Sequence, residues 1–294
     1  MNPDGSGQTR LTDNQANDLG PAWSPDGSRV AFFSNRDGDF LIYVVNTDGS
    51  GLARLSDQTA AAEPIAWSSD GTRIAFASLR GYDSEIFVVN ADGSDETRLT
   101  NDPKGNRYPA WSVDGSRLAF TSGRDGNAEI YVMNADGSEQ IRLTDSPADD
   151  YSPLWSPDGR RIAFRSYRGD GSHEICVMNA DGSNQSRLTD SPGSDLGLAW
   201  SPDGNRVAFT SPRDGSLEIH VASADGSAEN ILANNPTGNY APAWAPDGTR
   251  IAFVSDRDGN NEIYVMNADG SGQTNVTNSP ADDFAPVWSL GRGE

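Results

Sequence analysis

Residues 239–277 read Asn-Tyr-Ala-Pro-Ala-Trp-Ala-Pro-Asp-Gly-Thr-Arg-Ile-Ala-Phe-Val-Ser-Asp-Arg-Asp-Gly-Asn-Asn-Glu-Ile-Tyr-Val-Met-Asn-Ala-Asp-Gly-Ser-Gly-Gln-Thr-Asn-Val-Thr. The rest of the chain is copies of this unit or parts of one. Its tryptophan recurs as Trp23, Trp67, Trp111, Trp155, Trp200, Trp244 and Trp288, at steps of 44 residues with a single step of 45 from Trp155 to Trp200. A fixed period of that length marks a repeat architecture.

Turn chemistry divides the unit. Ala245-Pro246-Asp247-Gly248 sets φ with proline and ends on a glycine that tolerates positive φ, and Asn267-Ala268-Asp269-Gly270 repeats the device. Arg257-Asp258-Gly259-Asn260 separates Ile251-Ala252-Phe253 from Ile263-Tyr264-Val265-Met266, two runs of strand-favouring residues. Each unit therefore holds four strands joined by tight turns, here called A (at the tryptophan), B, C and D. Strands B and C are apolar on both faces, so both faces of the sheet are covered. Strand D carries one large apolar residue among Thr and Arg, as in Thr97-Arg98-Leu99-Thr100, which suits a charged outer edge. A sheet of this kind repeated end to end is a propeller blade.

The series Trp-Ser-Pro-Asp-Gly, Arg-Ile-Ala-Phe, Glu-Ile-Tyr-Val-Met-Asn-Ala-Asp-Gly and Arg-Leu-Thr resembles the TolB-like, PD40 relatives of the WD40 propellers, and the likeness spans essentially the whole chain. It implies strand A innermost and D outermost. It also implies a protein-binding role outside the cytoplasm, in the periplasm, although the separate α/β domain of relatives with that role has no counterpart in these 294 residues.

The expected fold is all-β, a six-bladed propeller forming one domain over residues 1–294, with blades starting near Trp23, Trp67, Trp111, Trp155, Trp200 and Trp244. Two partial repeats remain: a surplus strand D within residues 1–13 and a surplus strand A at residues 284–289. Residues 8–12 and 273–277 compete for the same outer edge, that of the last blade. The Arg and Leu of the N-terminal copy favour it, pairing with Glu262 to Met266. Phe284, Val287 and Trp288 are then left as an apolar patch open to a second copy of the chain.

Net charge is −21, and of 22 basic residues only Lys104 is lysine, which argues against a nucleic-acid partner. No apolar run is long enough for a transmembrane helix. Met1 to Thr9 match the middle of a repeat and read as propeller sequence instead of a leader peptide. The lone Cys176 replaces the strand C tyrosine of its copy and fits a buried position.

Three groups of residues carry possible chemistry. Arg80, Arg124, Arg168, Arg213 and Arg257 flank B–C hairpins that also carry Glu85, Glu129, Glu174, Glu218 and Glu262, and are expected to form structural ion pairs with them. Five places before most tryptophans stands a polar residue, Asp18, Asn106, Asp150, Asp195, Asn239 or Asp283, with Ala62 the exception. With strand A innermost, these six reach the channel mouth, where they would bind a protein or basic peptide or cap the inter-blade turns. Asp256, Asp258, Asn260 and Glu262 alternate as calcium ligands do, but the glycine is misplaced for an EF-hand.

No Gly-x-Ser-x-Gly motif is present, and the two histidines, His173 and His220, come from different copies and positions. The sequence thus reads as a binding module with no cofactor and no catalytic residue assigned. Carbohydrate or small-ligand binding with hydrolase or lyase activity, and a structural array cut from a larger protein, stand as alternatives.

Overall fold

The structure, a computed structural model, describes residues 1–61, 63–80, 83–167, 171–212, 215–233 and 237–289. Six four-stranded antiparallel sheets account for its regular structure, each in simple A-B-C-D order, giving the six blades of a β-propeller. The first sheet is β1 (Asp18–Trp23), β2 (Arg29–Ser34), β3 (Leu41–Asn46) and β4 (Ala53–Arg54). The second is β5 (Ala66–Trp67), β6 (Arg73–Arg80), β7 (Asp83–Asn90) and β8 (Thr97–Arg98), and the third β9 (Asn106–Trp111), β10 (Arg117–Ser122), β11 (Glu129–Asn134) and β12 (Ile141–Arg142). The fourth is β13 (Asp150–Trp155), β14 (Arg161–Tyr167), β15 (His173–Asn179) and β16 (Ser186–Arg187). The fifth is β17 (Leu196–Trp200), β18 (Arg206–Ser211), β19 (Glu218–Ser223) and β20 (Glu229–Ala233), and the sixth β21 (Asn239–Trp244), β22 (Arg250–Ser255), β23 (Glu262–Asn267) and β24 (Thr274–Asn275). Among the described residues no helix is long and apolar enough to cross a membrane.

The chain forms two compact units, residues 10–155 with Ser289, and residues 1–9 with 156–288. In the first, successive A strands β1, β5, β9 and β13 lie side by side; in the second, β17 neighbours β21. The core lies between sheets. Ala31, Phe33, Ile42 and Val44 of the first sheet meet Ile74, Phe76, Phe87 and Val89 of the second, and all are buried.

The repeated tryptophan is a staple between sheets. The indole N–H of Trp67 donates to Ala22 O at 3.0 Å, that of Trp155 to Ala110 O at 3.2 Å and that of Trp288 to Ala243 O at 3.0 Å. From the sheet before, the arginine opening strand B lays its guanidinium on the same ring, 4.6 Å from its centre for Arg73 on Trp111 and for Arg206 on Trp244. The aspartates of the A–B turns accept from their own loop. Bonds from Ser112 and from the N–H and hydroxyl of Ser116 hold Asp114 at about 2, well below the usual carboxylate range.

The chain ends depart from the expected edge pairing. It is β24 that pairs with β23, Thr274 opposite Val265 and Asn275 opposite Tyr264, while residues 8–12 form no strand. The turn at Asn267 to Gly270 delivers β24 locally, whereas the N-terminal segment would have to close a far longer loop. Gln8 instead donates its amide to Val276 O at 3.1 Å, much as Gln140 donates to Leu99 O and Gln273 to Leu232 O. Residues 284–288 are likewise not a strand, and Trp288 is docked beneath Arg250 while Phe284 and Val287 stay exposed.

Candidate functional site

The six residues five places before tryptophan stand at the start of strand A or in the segment leading to it. Asn106, Asp150, Asp195 and Asn239 are at most 1 % exposed. Asn106 shows their work: its amide donates to Glu85 of the second sheet at 2.9 Å, and its oxygen accepts from Arg124 of the third at 3.1 Å. Arg257 donates to Asn239 in the same way at 3.0 Å, and Arg36 pairs with Asp18 at 3.1 Å. Burial opposes ionisation of Asp18, but bonds from Ser34, Thr12, Arg36 and Asn14 outweigh it and hold the carboxyl below its ordinary range. Asp195 accepts from Ser191 at 2.9 Å, and the N–H of Asp150 donates to Ala128 O at 2.8 Å. Asp283 has no following hairpin arginine in these residues, and burial, then the charge of Glu262, pushes its carboxyl up.

The expected Arg–Glu hairpin pairs are corrected by the register. Ser122 faces Glu129 and Ser255 faces Glu262, so Arg124 and Arg257 lie in the turn beyond the last pair. Arg124 turns back over Tyr131, 4.6 Å from the ring centre, and bonds Ser122, Gln140 and Asn106. Glu129 looks to the other neighbour of its strand. It accepts from Arg142 at 2.7 Å, Thr144 at 2.5 Å, Asn127 at 2.9 Å and the N–H of Ser146 at 3.2 Å. Glu85 repeats the set with Arg98, Thr100, Asn106 and the N–H of Asp102. Arg168 and Arg213 lie outside the described residues, as does the side chain of Arg80.

One place further along strand A the character changes. The residues four before tryptophan are Leu19, Glu63, Arg107 and Tyr151 in one unit, and Leu196, Tyr240 and Phe284 in the other. Leu19, Leu196 and Phe284 are 47 %, 37 % and 56 % exposed, and Tyr151 and Tyr240 are half-buried. The backbone explains it. The next residue takes a left-handed conformation, as Gly20, Tyr108, Ser152, Gly197, Ala241 and Ala285, with φ between 52° and 64°. Strands β1, β9, β17 and β21 are irregular in register there, and a bulge re-aims the neighbouring side chain. Four of the six are not glycine, so the conformation is held at some cost, of order 1 kcal/mol each. The N–H of Ser152 donates to Thr121 Oγ1 at 3.1 Å and that of Ala241 to Thr210 Oγ1 at 3.2 Å. In the second copy Pro64 cannot take positive φ, and β5 shrinks to Ala66–Trp67. Glu63 is there pushed up by burial, and it accepts from the N–H of Tyr108 at 3.1 Å beside Arg107 at 3.7 Å.

This row was missed in the sequence, although a signal was present: Leu, Glu, Arg, Tyr, Leu, Tyr and Phe vary at a fixed place beside residues that hardly change. The oxygens of the alternating loop are engaged separately. Asp256 accepts the N–H of Gly238, Asp258 the hydroxyl of Tyr264, and Asn260 donates to Glu262, Ser279 O and Ala281 O. His173 and His220 belong to the fourth and fifth sheets.

The family model described as the TolB β-propeller domain, PD40, matches residues 58–173 and 226–292, more than half of the chain. The chain belongs to the PD40 family of TolB β-propellers. TolB from Acinetobacter baumannii superposes with a TM-score of 0.67 at 22 % identity, over 90 % of this chain and 67 % of that one. Oligogalacturonate lyase from Vibrio parahaemolyticus gives 0.72 at 17 % identity, over 90 % and 80 %. At these identities the likeness is one of fold. A 38-residue stretch is 50 % identical to dipeptidyl-peptidase 5 of Porphyromonas gingivalis, but it spans only 13 % of this chain and 6 % of that protein.

Proposed function

We propose that this PD40 propeller is a non-catalytic binding module for a protein partner, engaged through a basic, extended segment, and that it works outside the cytoplasm as its TolB-like relatives suggest. The observation that carries the reading is, in each unit by itself, the set of residues four places before tryptophan: a varied position, turned outward in the copies other than the second by the left-handed residue that follows it. Asp18, Asn106, Asp150, Asp195, Asn239 and Asp283 enter, within each unit, as the neighbouring positions that fix those residues, and the four aspartates among them supply negative charge beside them. Tyr151 and Tyr240 offer ring faces for guanidinium and aliphatic groups, and a net charge of −21 favours a basic partner.

The test is fluorescence anisotropy of labelled basic decapeptides against the wild-type chain, Tyr151→Ala and Tyr240→Ala. Each substitution is expected to weaken binding about tenfold, and binding is expected to fall with salt, since exposed charges are screened over about 8–10 Å. Unchanged affinity in both variants would place the partner elsewhere. Binding of neutral glycans that is lost in the same variants but insensitive to salt would favour the carbohydrate reading.

A further inference from the structure

The fifth sheet breaks the rule that anchors the carboxylate of strand C. In the third sheet Glu129 is held by Arg142 and Thr144, and in the second Glu85 by Arg98 and Thr100. The corresponding residues of the fifth sheet are Ile231 and Ala233, so neither donor exists for Glu218. Glu218 is nevertheless 2 % exposed, and its Oε2 has no hydrogen-bond partner among the described residues.

At the strand C position that is tyrosine in the third and sixth sheets, this sheet has His220, fully buried. Its Nδ1 lies 2.7 Å from Glu229 Oε1 and its Nε2 lies 3.4 Å from Glu218 Oε2. Glu229 comes from β20 and Glu218 from the histidine's own strand. From β18 comes the ring of Phe209, stacked at 5.5 Å and uncharged, and the fourth sheet reaches Phe209 through the apolar Val177 and Leu188. Arg213 and Asp214 occupy the hairpin positions from which Arg124 and Asp125 meet Tyr131, and they lie outside the described residues.

We propose that His220 takes the place of the missing arginine beside Glu218, so that a proton latches β20 to β19. With hydrogen on both nitrogens, the ring donates to Glu229 and faces Glu218 with a donor. With one proton removed, a nitrogen lone pair meets a carboxylate and one of these buried interactions turns repulsive. The latch therefore holds on the acid side, while the two carboxylates are ionised, and is lost once pH rises far enough to take one proton from the ring. What it releases is the longest outer strand, five residues against two in every other sheet, and one that bears the exposed Ile231.

Two readouts on the intact chain test this. In nitrogen-15 spectra at pH 5.5, His220 is expected to show both nitrogens protonated, with His173→Gln assigning the signal; a neutral tautomer there overturns the proposal. Hydrogen exchange, corrected for intrinsic rates, is expected to show protection of residues 229–233 falling about tenfold between pH 5.5 and 8.0, with residues 140–144 of the third sheet unchanged. Ile231→Arg with Ala233→Thr restores the usual anchors and is expected to abolish that dependence while keeping the strand protected. Equal pH responses in the wild type and the restored variant, or no response in the wild type, contradict it.

Discussion

Glu129→Gln is expected to destabilise the chain by about 3 kcal/mol, a loss far beyond that of a surface ion pair. Glu129 is fully buried and accepts four hydrogen bonds, two of them from Arg142 and Thr144 on the outer strand side. Removing one partner of a buried pair typically costs about 3–5 kcal/mol, because the other is left uncompensated. Arg142 keeps 28 % of its side chain in solvent, which places the effect at the low end of that range. Denaturant melts of single and double variants check the assignment of partners. Glu129 is expected to couple to Arg142 by more than 1 kcal/mol and to be additive with Arg124 within about 0.5 kcal/mol. Coupling to Arg124 in place of Arg142 would restore the hairpin pairing that the register denies.

Trp155→Ala is expected to cost more still, about 3–5 kcal/mol by the usual range for a large aromatic truncated in a core. The ring is 7 % exposed and its indole N–H donates to Ala110 O, so the substitution opens a cavity between sheets and removes the staple at once. Ile141→Thr, on a side chain 55 % exposed, is the control and is expected to stay within about 0.5 kcal/mol. Equal effects would mean that the tryptophan period records something other than inter-sheet packing.

The fold was legible because its signals are local and repeated: turn tetrapeptides at fixed spacing, doubly apolar B and C strands, and one tryptophan per copy. Partner choice was harder to read. A central strand has two neighbours, and the Arg257–Glu262 spacing is also compatible with an arginine lying past the last pair, where it meets a tyrosine ring instead. The competition between residues 8–12 and 273–277 was misjudged for a related reason. Arg10 and Leu11 match the outer-strand pattern, yet Leu11 packs with Val30, Phe32 and Tyr43 of the first sheet, while Asn275 replaces the arginine by donating to Asp258 at 2.9 Å. At the candidate site, chemistry drew attention to the carboxylates and amides, of which the structure buries Asn106, Asp150, Asp195 and Asn239. The neighbouring row is chemically mixed, and only the left-handed residue beside it shows why its side chains turn outward.

The most direct measurement is photocrosslinking of the labelled basic decapeptide to chains carrying benzoylphenylalanine at Tyr151, at Tyr240, or at Ile141 on the outer strand. The account predicts salt-sensitive crosslinks at 151 and 240 and none above background at 141. Crosslinks confined to 141, or equal at all three, would contradict it.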